Sequence, residues 1–170
     1  MRFNSTKFKV IILCGGEGKR MGQITKKIPK PLVKIGKLSI IEHKLNYYKS
    51  QGLKDFVFCI GHKGNILKKF LEKKCKNPIF FDGGVKSGIL KRIYLARKTI
   101  DESTIISYGD TLAKINFKEL LINHKKSKAV SYNPNKEPKG PLIKCNSSCI
   151  IRSGFVLISL VKNFLVSFFL

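Results

Sequence analysis

The chain has 170 residues, of which 34 are Lys or Arg and 10 are Asp or Glu, so its formal net charge is +24. Apolar residues make up 43% of the sequence, which excludes a disordered polyelectrolyte in spite of the charge. The length predicts one domain over residues 1–170, large enough to bury an ordinary core.

The positive charge comes mainly from lysine, since the chain has 29 Lys and 5 Arg spread over its whole length. Base reading and bidentate phosphate contacts favour arginine, and nucleic-acid binding predicts clustered Arg with exposed aromatic residues. The Phe and Tyr residues instead follow the spacing of a core. The composition therefore favours small anionic partners, such as nucleotides and sugar phosphates, over nucleic acid.

The five cysteines show no C-x-x-C spacing. Cys14 and Cys59 end apolar runs, which predicts reduced and buried thiols. Cys145 and Cys149 have no histidine nearby, which argues against a zinc site. The N-terminal residues 1–13 lack the apolar core and small-residue cleavage site of a signal peptide. Together these features predict a cytoplasmic protein.

Strands are predicted where β-branched and aromatic residues form short apolar runs. In chain order they are Lys9–Leu13, Phe56–Ile60, Pro78–Phe81, Thr104–Ser107, Ala129–Tyr132, Leu142–Lys144 and Gly154–Ser159. Helices are predicted where apolar residues recur at helical spacing. They run from Ser39 to Gln51, from Asn65 to Lys74, from Ser87 to Lys98 and from Asn116 to Lys126. Ile66 and Ile89 are placed on buried helix faces.

No helical spacing is found between Gly15 and Leu38, so this stretch is predicted to be one long loop. The alternation of strands and helices elsewhere predicts an α/β fold, with a Rossmann-like, mostly parallel sheet covered by helices on both faces. The last stretch, Phe155–Leu170, is nearly all apolar but shorter than the ~20 residues that span a bilayer, so no membrane association is expected. It reads as a strand running into an apolar segment, or as a domain that stops before its last elements.

Ligands of such sheets bind at the carboxyl ends of the strands. The residues at these ends are therefore expected to converge: Gly15–Arg20, Gly61–Lys63, Asp82–Gly84 and Tyr108–Asp110.

The Gly15-Gly16-Glu17-Gly18 loop can aim backbone N–H groups at phosphate oxygens. A P-loop is excluded because Gly18-Lys19 is followed by Arg20 and not by Ser or Thr. A dinucleotide fingerprint is excluded as well, because the loop runs into prolines and no acidic residue follows the second strand.

Two further residues carry candidate chemistry. Lys30 stands between Pro29 and Pro31, which restrict the backbone around it, and a stiffly held cation can neutralise charge during phosphoryl transfer. Asp110 follows the strand TIIS through a tyrosine and a glycine, where a carboxylate can hold Mg²⁺ against nucleotide phosphates.

The segment LCGGEGKRM from Leu13 to Met21, followed by Pro29-Lys30-Pro31, resembles the signature of the sugar-1-phosphate nucleotidyltransferases. Tyr108-Gly109-Asp110 resembles the metal-binding Gly-Asp of that family. The match extends from about Lys9 to about Tyr132. Within the family, Ile60–Gly64 and Leu90–Ile93 are similar to glucose-1-phosphate cytidylyltransferase-like members.

The resemblance implies an enzyme of nucleotide-sugar and polysaccharide biosynthesis, which transfers a nucleotidyl group from an NTP, CTP being favoured, to a sugar 1-phosphate. It implies that Lys30 and Arg20 are catalytic and that Asp110 binds the cofactor Mg²⁺. The nucleotide contacts that it implies are Leu13, Gly15, Gly16, Gly18, Arg20, Lys30, Ser87, Gly88 and Gly109.

The sequence also departs from the family pattern. Members have a second magnesium carboxylate late in the chain and a lysine for the sugar phosphate, whereas only Glu119 and Glu137 follow Asp110 here. Residues 9–132 are therefore predicted to be the nucleotide-binding half, and residues 133–170 a diverged or truncated acceptor half. Two hypotheses stay open: an active transferase, and a catalytically impaired nucleotide-binding remnant of one. The sequence leaves a homo-oligomer open.

Overall fold

The computed structural model describes residues 8–100, 104–119 and 155–157. The strands are β1 (Lys9–Leu13), β2 (Lys34–Ile35), β3 (Leu38–Ser39), β4 (Asp55–Ile60), β5 (Ile79–Asp82), β6 (Thr104–Tyr108) and β7 (Phe155–Leu157). The α-helices are α1 (Gln23–Lys27), α2 (Ile40–Ser50), α3 (Gly64–Glu72) and α4 (Ile89–Leu95). Three-residue 3₁₀ turns lie at Lys19–Met21, Lys30–Leu32 and Arg97–Thr99.

The central sheet has the strand order β5–β4–β1–β6–β7. The first four strands in this order pair in parallel, and β7 joins β6 antiparallel. This arrangement confirms the predicted α/β fold with its mostly parallel sheet. The predicted strands Ala129–Tyr132 and Leu142–Lys144 lie outside the described residues.

Strands β1, β4 and β6 are largely buried, and their successive side chains point to opposite faces of the sheet. Val10 and Ile12 pack in a cluster that also contains Leu45 of α2 and Leu67 of α3. Ile11 packs in a second cluster on the other face, which includes residues of α4 and the following turn. The helices therefore cover both faces of the sheet, as predicted.

Helix α2 confirms the predicted start at Ser39 and the predicted buried stripe. The Ser39 hydroxyl accepts a hydrogen bond from the backbone N–H of Glu42 at 3.3 Å. The Glu42 carboxylate in turn accepts from the Ser39 N–H at 2.9 Å, which completes a capping box. Lys74 lies 2.9 Å from the same carboxylate. The Ser39 N–H and the Lys74 ammonium lower the pKa of Glu42 to about 2.

Replacing Glu42 by Gln is expected to lower the free energy of unfolding at pH 7 by about 1 kcal/mol, a typical value for a partly solvated cap. Because the pKa of Glu42 is lower in the folded than in the unfolded state, this stabilisation is complete above pH ~4.5 and disappears as the pH falls to about 2. Denaturant unfolding at several pH values measures it. Glu72→Gln is the control, since Glu72 is 49% exposed and lies 4.0 Å from Lys68. If the free energy of unfolding lost in Glu42→Gln were the same at every pH, the ionised Glu42 carboxylate would not be the source of the stabilisation.

The prediction of one loop from Gly15 to Leu38 was wrong in part. The stretch contains α1, two 3₁₀ turns and the β2–β3 hairpin. Helix α1 has five residues and buries only Thr25. Such a short helix leaves no apolar stripe in the sequence, so its pattern could not be recognised.

Two other helices differ from their predicted limits or faces. Helix α4 begins after Gly88 and ends at Leu95, and so is shorter than the predicted Ser87–Lys98. Ile89 and Ile66 were expected to be buried but are 47% and 45% exposed. The predicted cap at Asn116 is confirmed, because its side-chain oxygen accepts from the Glu119 N–H at 3.2 Å.

Cys14 and Cys59 are free, buried thiols, as predicted. Burial raises the pKa of the Cys59 thiol to about 12, and it raises the pKa of Cys14 further. Cys145, Cys149 and most of the stretch Phe155–Leu170 lie outside the described residues. In the part of the chain that the structure describes, every helix is too short or too polar to cross a bilayer.

Candidate active site

The carboxyl ends of three parallel strands meet at one edge of the sheet. Leu13 is in register with Cys59 on β4 and with Tyr108 on β6. The pairing continues past the strands, because the Cys14 N–H donates to the Cys59 carbonyl at 2.8 Å and the Gly109 N–H donates to the Leu13 carbonyl at 2.9 Å. The loops that follow these strands therefore start side by side, as the topology predicts.

A cleft of about 340 Å³ lies over this edge. It is lined by Leu13, Cys14, Gly15, Gly16, Gly18, Lys19, Arg20, Lys30, Pro31, Ile89, Arg92, Tyr108 and Asp110. Four of these residues are cationic and one is a carboxylate, which makes the cleft suited to a polyanion. Among the predicted site residues, only Ser87, Gly88 and Gly109 are absent from its walls.

The glycine loop turns sharply at Gly18, which has a left-handed backbone with φ of 67° and precedes the first 3₁₀ turn. The Thr25 hydroxyl donates toward the carbonyl oxygens of Gly18 at 3.1 Å and Gly22 at 3.2 Å. His62 Nε2 lies 3.0 Å from the Thr25 carbonyl oxygen. Thr25 is only 3% exposed, so it fixes the loop from beneath. The sequence showed no sign of this role.

Lys30 and Asp110, which are 80 positions apart in the sequence, contact each other directly. Lys30 Nζ donates to Asp110 Oδ2 at 2.5 Å. Pro29 precedes Lys30 in an extended conformation, and Pro31 is the buried residue of the 3₁₀ turn that starts at Lys30. The side chains of Lys30 and Asp110 are 25% and 35% exposed. Both charges therefore lie at the surface of the cleft, within reach of a ligand.

Arg20 lies on the 3₁₀ turn beside the glycine loop and is exposed. Its neighbour Lys19 is paired with Glu17 at 3.3 Å, whereas Arg20 makes no ion pair with the described residues. Its guanidinium is thus open to an anionic ligand from the cleft.

The segment before α4 was predicted to contact the nucleobase. Gly88 precedes the first residue of the helix, and Ile89 contributes an apolar side chain to the cleft wall. The Ser87 hydroxyl donates to the Gly83 carbonyl within its own loop. The roles of Ser87, Gly88 and Gly109 in binding stay predictions.

Two buried cations near the site were not predicted. Lys44 is 2% exposed and donates to the Ser107 hydroxyl at 3.0 Å and to the Tyr48 hydroxyl at 3.2 Å, directly beneath β6. Burial lowers the pKa of Lys44 to about 8. Arg92 is 6% exposed and forms part of the cleft wall. Each had a sequence signal, since Lys44 falls on the buried stripe of α2 and Arg92 is one of only five arginines.

Comparison with known proteins places the chain in a family. The family profile described as nucleotidyl transferase matches residues 9–140, and the chain belongs to this family. It is 34% identical over 140 residues to the probable glucose-1-phosphate cytidylyltransferase of Bacillus subtilis, covering 68% of this chain and 55% of that protein. It is 27% identical over 128 residues to the D-glycero-alpha-D-manno-heptose 1-phosphate guanylyltransferase of Campylobacter jejuni, covering 69% and 54%.

The fold also matches a solved structure, HddC from Yersinia pseudotuberculosis complexed with GMP-PN. The TM-score is 0.56 at 25% identity, covering 68% of this chain and 53% of that one. The chain therefore spans about half the length of the curated relatives that it matches.

Proposed function

We propose that the protein transfers a nucleotidyl group from an NTP to a sugar 1-phosphate and releases pyrophosphate. The main supporting observation is that the glycine loop, Arg20, Lys30 and Asp110 line a single cationic cleft. The family membership supports the same class of reaction. The proposal includes a cytoplasmic location, which suits the free thiols of the described cysteines.

The reaction needs no general base in this proposal, because the phosphate of the acceptor is already an anionic nucleophile. One of its oxygens forms a bond to the α-phosphorus, and the bond from that phosphorus to the bridging oxygen breaks as pyrophosphate leaves. Lys30 neutralises the charge that develops at the α-phosphate, while Arg20 and the N–H groups of Gly15–Gly18 hold the other phosphates. Positioning and charge neutralisation carry the catalysis, as in other phosphoryl transfers.

Asp110 fits the role of a magnesium ligand. Its carboxylate stands at the strand end and is 35% exposed in the cleft. No group of three or more His, Cys, Asp or Glu side chains with metal-binding geometry occurs among residues 8–100 and 104–119. A single carboxylate suits Mg²⁺, which is commonly held by one or two carboxylates, substrate phosphates and water. When bound, the ion would neutralise phosphate charge and orient the triphosphate.

CTP is our first candidate for the donor, because a cytidylyltransferase is among the relatives with the higher identity. A guanylyltransferase also matches, so the base must be tested directly. Thermal stability of the full chain with Mg²⁺ and each of CTP, GTP, ATP, UTP and dTTP gives the comparison, because a ligand that binds the folded state raises the melting temperature. We expect stabilisation by one or two nucleotides, with CTP giving the largest shift.

Catalysis is then measured as pyrophosphate release on addition of glucose 1-phosphate or a heptose 1-phosphate, with reactions lacking the sugar phosphate as the blank. Acceptor-dependent release supports the transferase. Selective NTP binding without release supports the second hypothesis, an impaired nucleotide-binding remnant, which is motivated by the few carboxylates that follow Asp110 in the sequence, namely Glu119 and Glu137. If no NTP stabilised the protein, both hypotheses would fail.

A further inference from the structure

Arg92 is a buried arginine in the wall of the cleft that lacks a carboxylate partner. It is 6% exposed, and none of the carboxylates in the described ranges forms an ion pair with it. Its Nε–H donates to no acceptor among the residues that the structure describes. A buried charge without a counter-charge is unfavourable for folding. This cost points to a role other than stability.

The guanidinium connects two loops through their backbone carbonyl groups. Nη2 donates to the Gly15 carbonyl at 2.8 Å and to the Gly84 carbonyl at 3.0 Å. Nη1 donates to the Ser87 carbonyl. Gly15 belongs to the proposed phosphate loop, whereas Gly84 and Ser87 belong to the loop that precedes α4. One planar group thus sets the distance between the two loops.

The surrounding backbone is shaped around this side chain. A Cβ atom added to Gly15 would lie 2.1 Å from Arg92 Nε. A Cβ atom added to Gly61, in the loop after β4, would lie 2.9 Å from Arg92 Nη2 and 2.6 Å from the Gly84 carbonyl oxygen. Only glycine permits such close approach at these positions. Three strand-end loops therefore meet at one guanidinium.

The two loops face different parts of a bound nucleotide in the proposed function. Among the residues that line the cleft, the cations Arg20 and Lys30 suit phosphates. Ile89, which directly follows the loop at 83–88, and Leu13 provide apolar wall suited to a flat base. The position of the base wall relative to the phosphate loop then depends on Arg92.

We propose that Arg92 is a positioning residue that couples the phosphate loop at Gly15 to the base-side loop at 83–88, so that selection among nucleobases depends on it. This inference rests on the proposed function. A positioning role predicts that base selectivity is lost while the attraction for a bare polyphosphate persists. A merely structural role predicts that both are lost together.

The experiment measures dissociation constants of the full chain with Mg²⁺ for CTP, GTP, ATP, UTP and inorganic tripolyphosphate. In Arg92→Met we expect the preferred NTP to bind about tenfold more weakly, a typical effect of losing one positioning contact. The dissociation constants of the four nucleotides should then differ from one another by no more than about threefold. The dissociation constant of tripolyphosphate should change by less than about threefold from its wild-type value. Arg97→Met is the matched control, since Arg97 is exposed and outside the cleft wall, and should leave all five constants unchanged.

Two further variants keep the test decisive if Arg92→Met does not fold. Arg92→Lys retains the charge, but an ammonium group cannot replace the planar guanidinium that bonds to both loops. This variant should therefore also reduce the differences in affinity among the four nucleotides. Gly61→Ala should displace the guanidinium without altering residue 92 or the sequence of the phosphate loop, because the added Cβ atom would lie 2.9 Å from Arg92 Nη2, and it should have the same effect as Arg92→Met. If the folded variants kept the wild-type differences in affinity among the nucleotides, or lost NTP and tripolyphosphate binding equally, the positioning role of Arg92 would be wrong. The proposed function would not be affected by either result. If the wild type bound no NTP, the proposed function would fail and the inference with it.

Discussion

Replacing Lys30 by Met is expected to lower the rate of nucleotidyl transfer by about 10²- to 10³-fold, the range found when one preorganised charge-stabilising group is removed. The proline-flanked backbone of Lys30 and its ion pair with Asp110 hold the ammonium at the cleft. Methionine keeps the length and most of the volume of the side chain but removes the charge. The loss should fall mainly on kcat, because the α-phosphate gains charge in the transition state. Single-turnover pyrophosphate release at saturating NTP and Mg²⁺ measures it.

The matched control is Lys34→Met, which removes a charge from the exposed strand β2 only four residues further along the chain. Its rate should stay within about twofold of wild type, since screened surface charges contribute little. If Lys30→Met and Lys34→Met lowered the rate equally, the effect would reflect overall charge, and the assigned role of Lys30 would be wrong. If the wild type bound NTP without turnover, the same pair of variants would be compared by NTP affinity.

The parts of the fold that the sequence predicted are those in which local pattern and burial agree. The run KVIIL at Lys9–Leu13 forms the central strand of a sheet that has helices on both faces. A continuous run of β-branched residues is typical of a strand that is buried on both faces. The start of α2 was equally clear, since Ser39 supplies both a cap and the boundary of an apolar stripe. In both cases a few neighbouring residues contain the whole signal.

The limits of α4 were harder to predict because the cleft alters the local pattern. Ile89 has the spacing of a core residue, yet it lines the cleft. A binding site exposes apolar side chains that a helix would otherwise bury, so the periodicity is misleading at this position. The sequence also could not show that Arg92 contacts the Gly15 carbonyl across 77 positions. Such a contact depends on tertiary packing and leaves no local pattern.

The cluster of Arg20, Lys30 and Asp110 was predictable for a topological reason. Each residue follows a strand end or the loop attached to one, and parallel strands bring those ends to a common edge. Lys44 shows the limit of this argument. Its place on the stripe that includes Ile41 and Leu45 indicates burial, but the sequence does not show its hydrogen bonds to Ser107 and Tyr48, which depend on tertiary packing.

Replacing Asp110 by Asn is expected to have opposite effects on nucleotide binding with and without magnesium. With Mg²⁺, loss of the carboxylate ligand should lower turnover by about a thousandfold and weaken NTP binding, because a metal contact contributes several kcal/mol to the transition state. With EDTA, NTP should bind about three- to tenfold more tightly than to wild type, because a negative charge facing the triphosphate is gone. The change also frees the Lys30 ammonium, which lies 2.5 Å from Asp110 in the unliganded protein.

Isothermal titration with NTP in both buffers measures the affinities, and pyrophosphate release measures the turnover. Asp55→Asn is the matched control, because Asp55 is an exposed carboxylate at the start of β4, on the opposite edge of the sheet. It removes the same charge from the protein and should leave both affinities unchanged. Weaker binding of Asp110→Asn in EDTA would show that Asp110 acts as a structural partner of Lys30, and unchanged binding in Mg²⁺ would show that it is not a metal ligand. A reversal of sign between the two buffers is expected if the carboxylate repels the triphosphate in the absence of the metal and binds the metal when it is present.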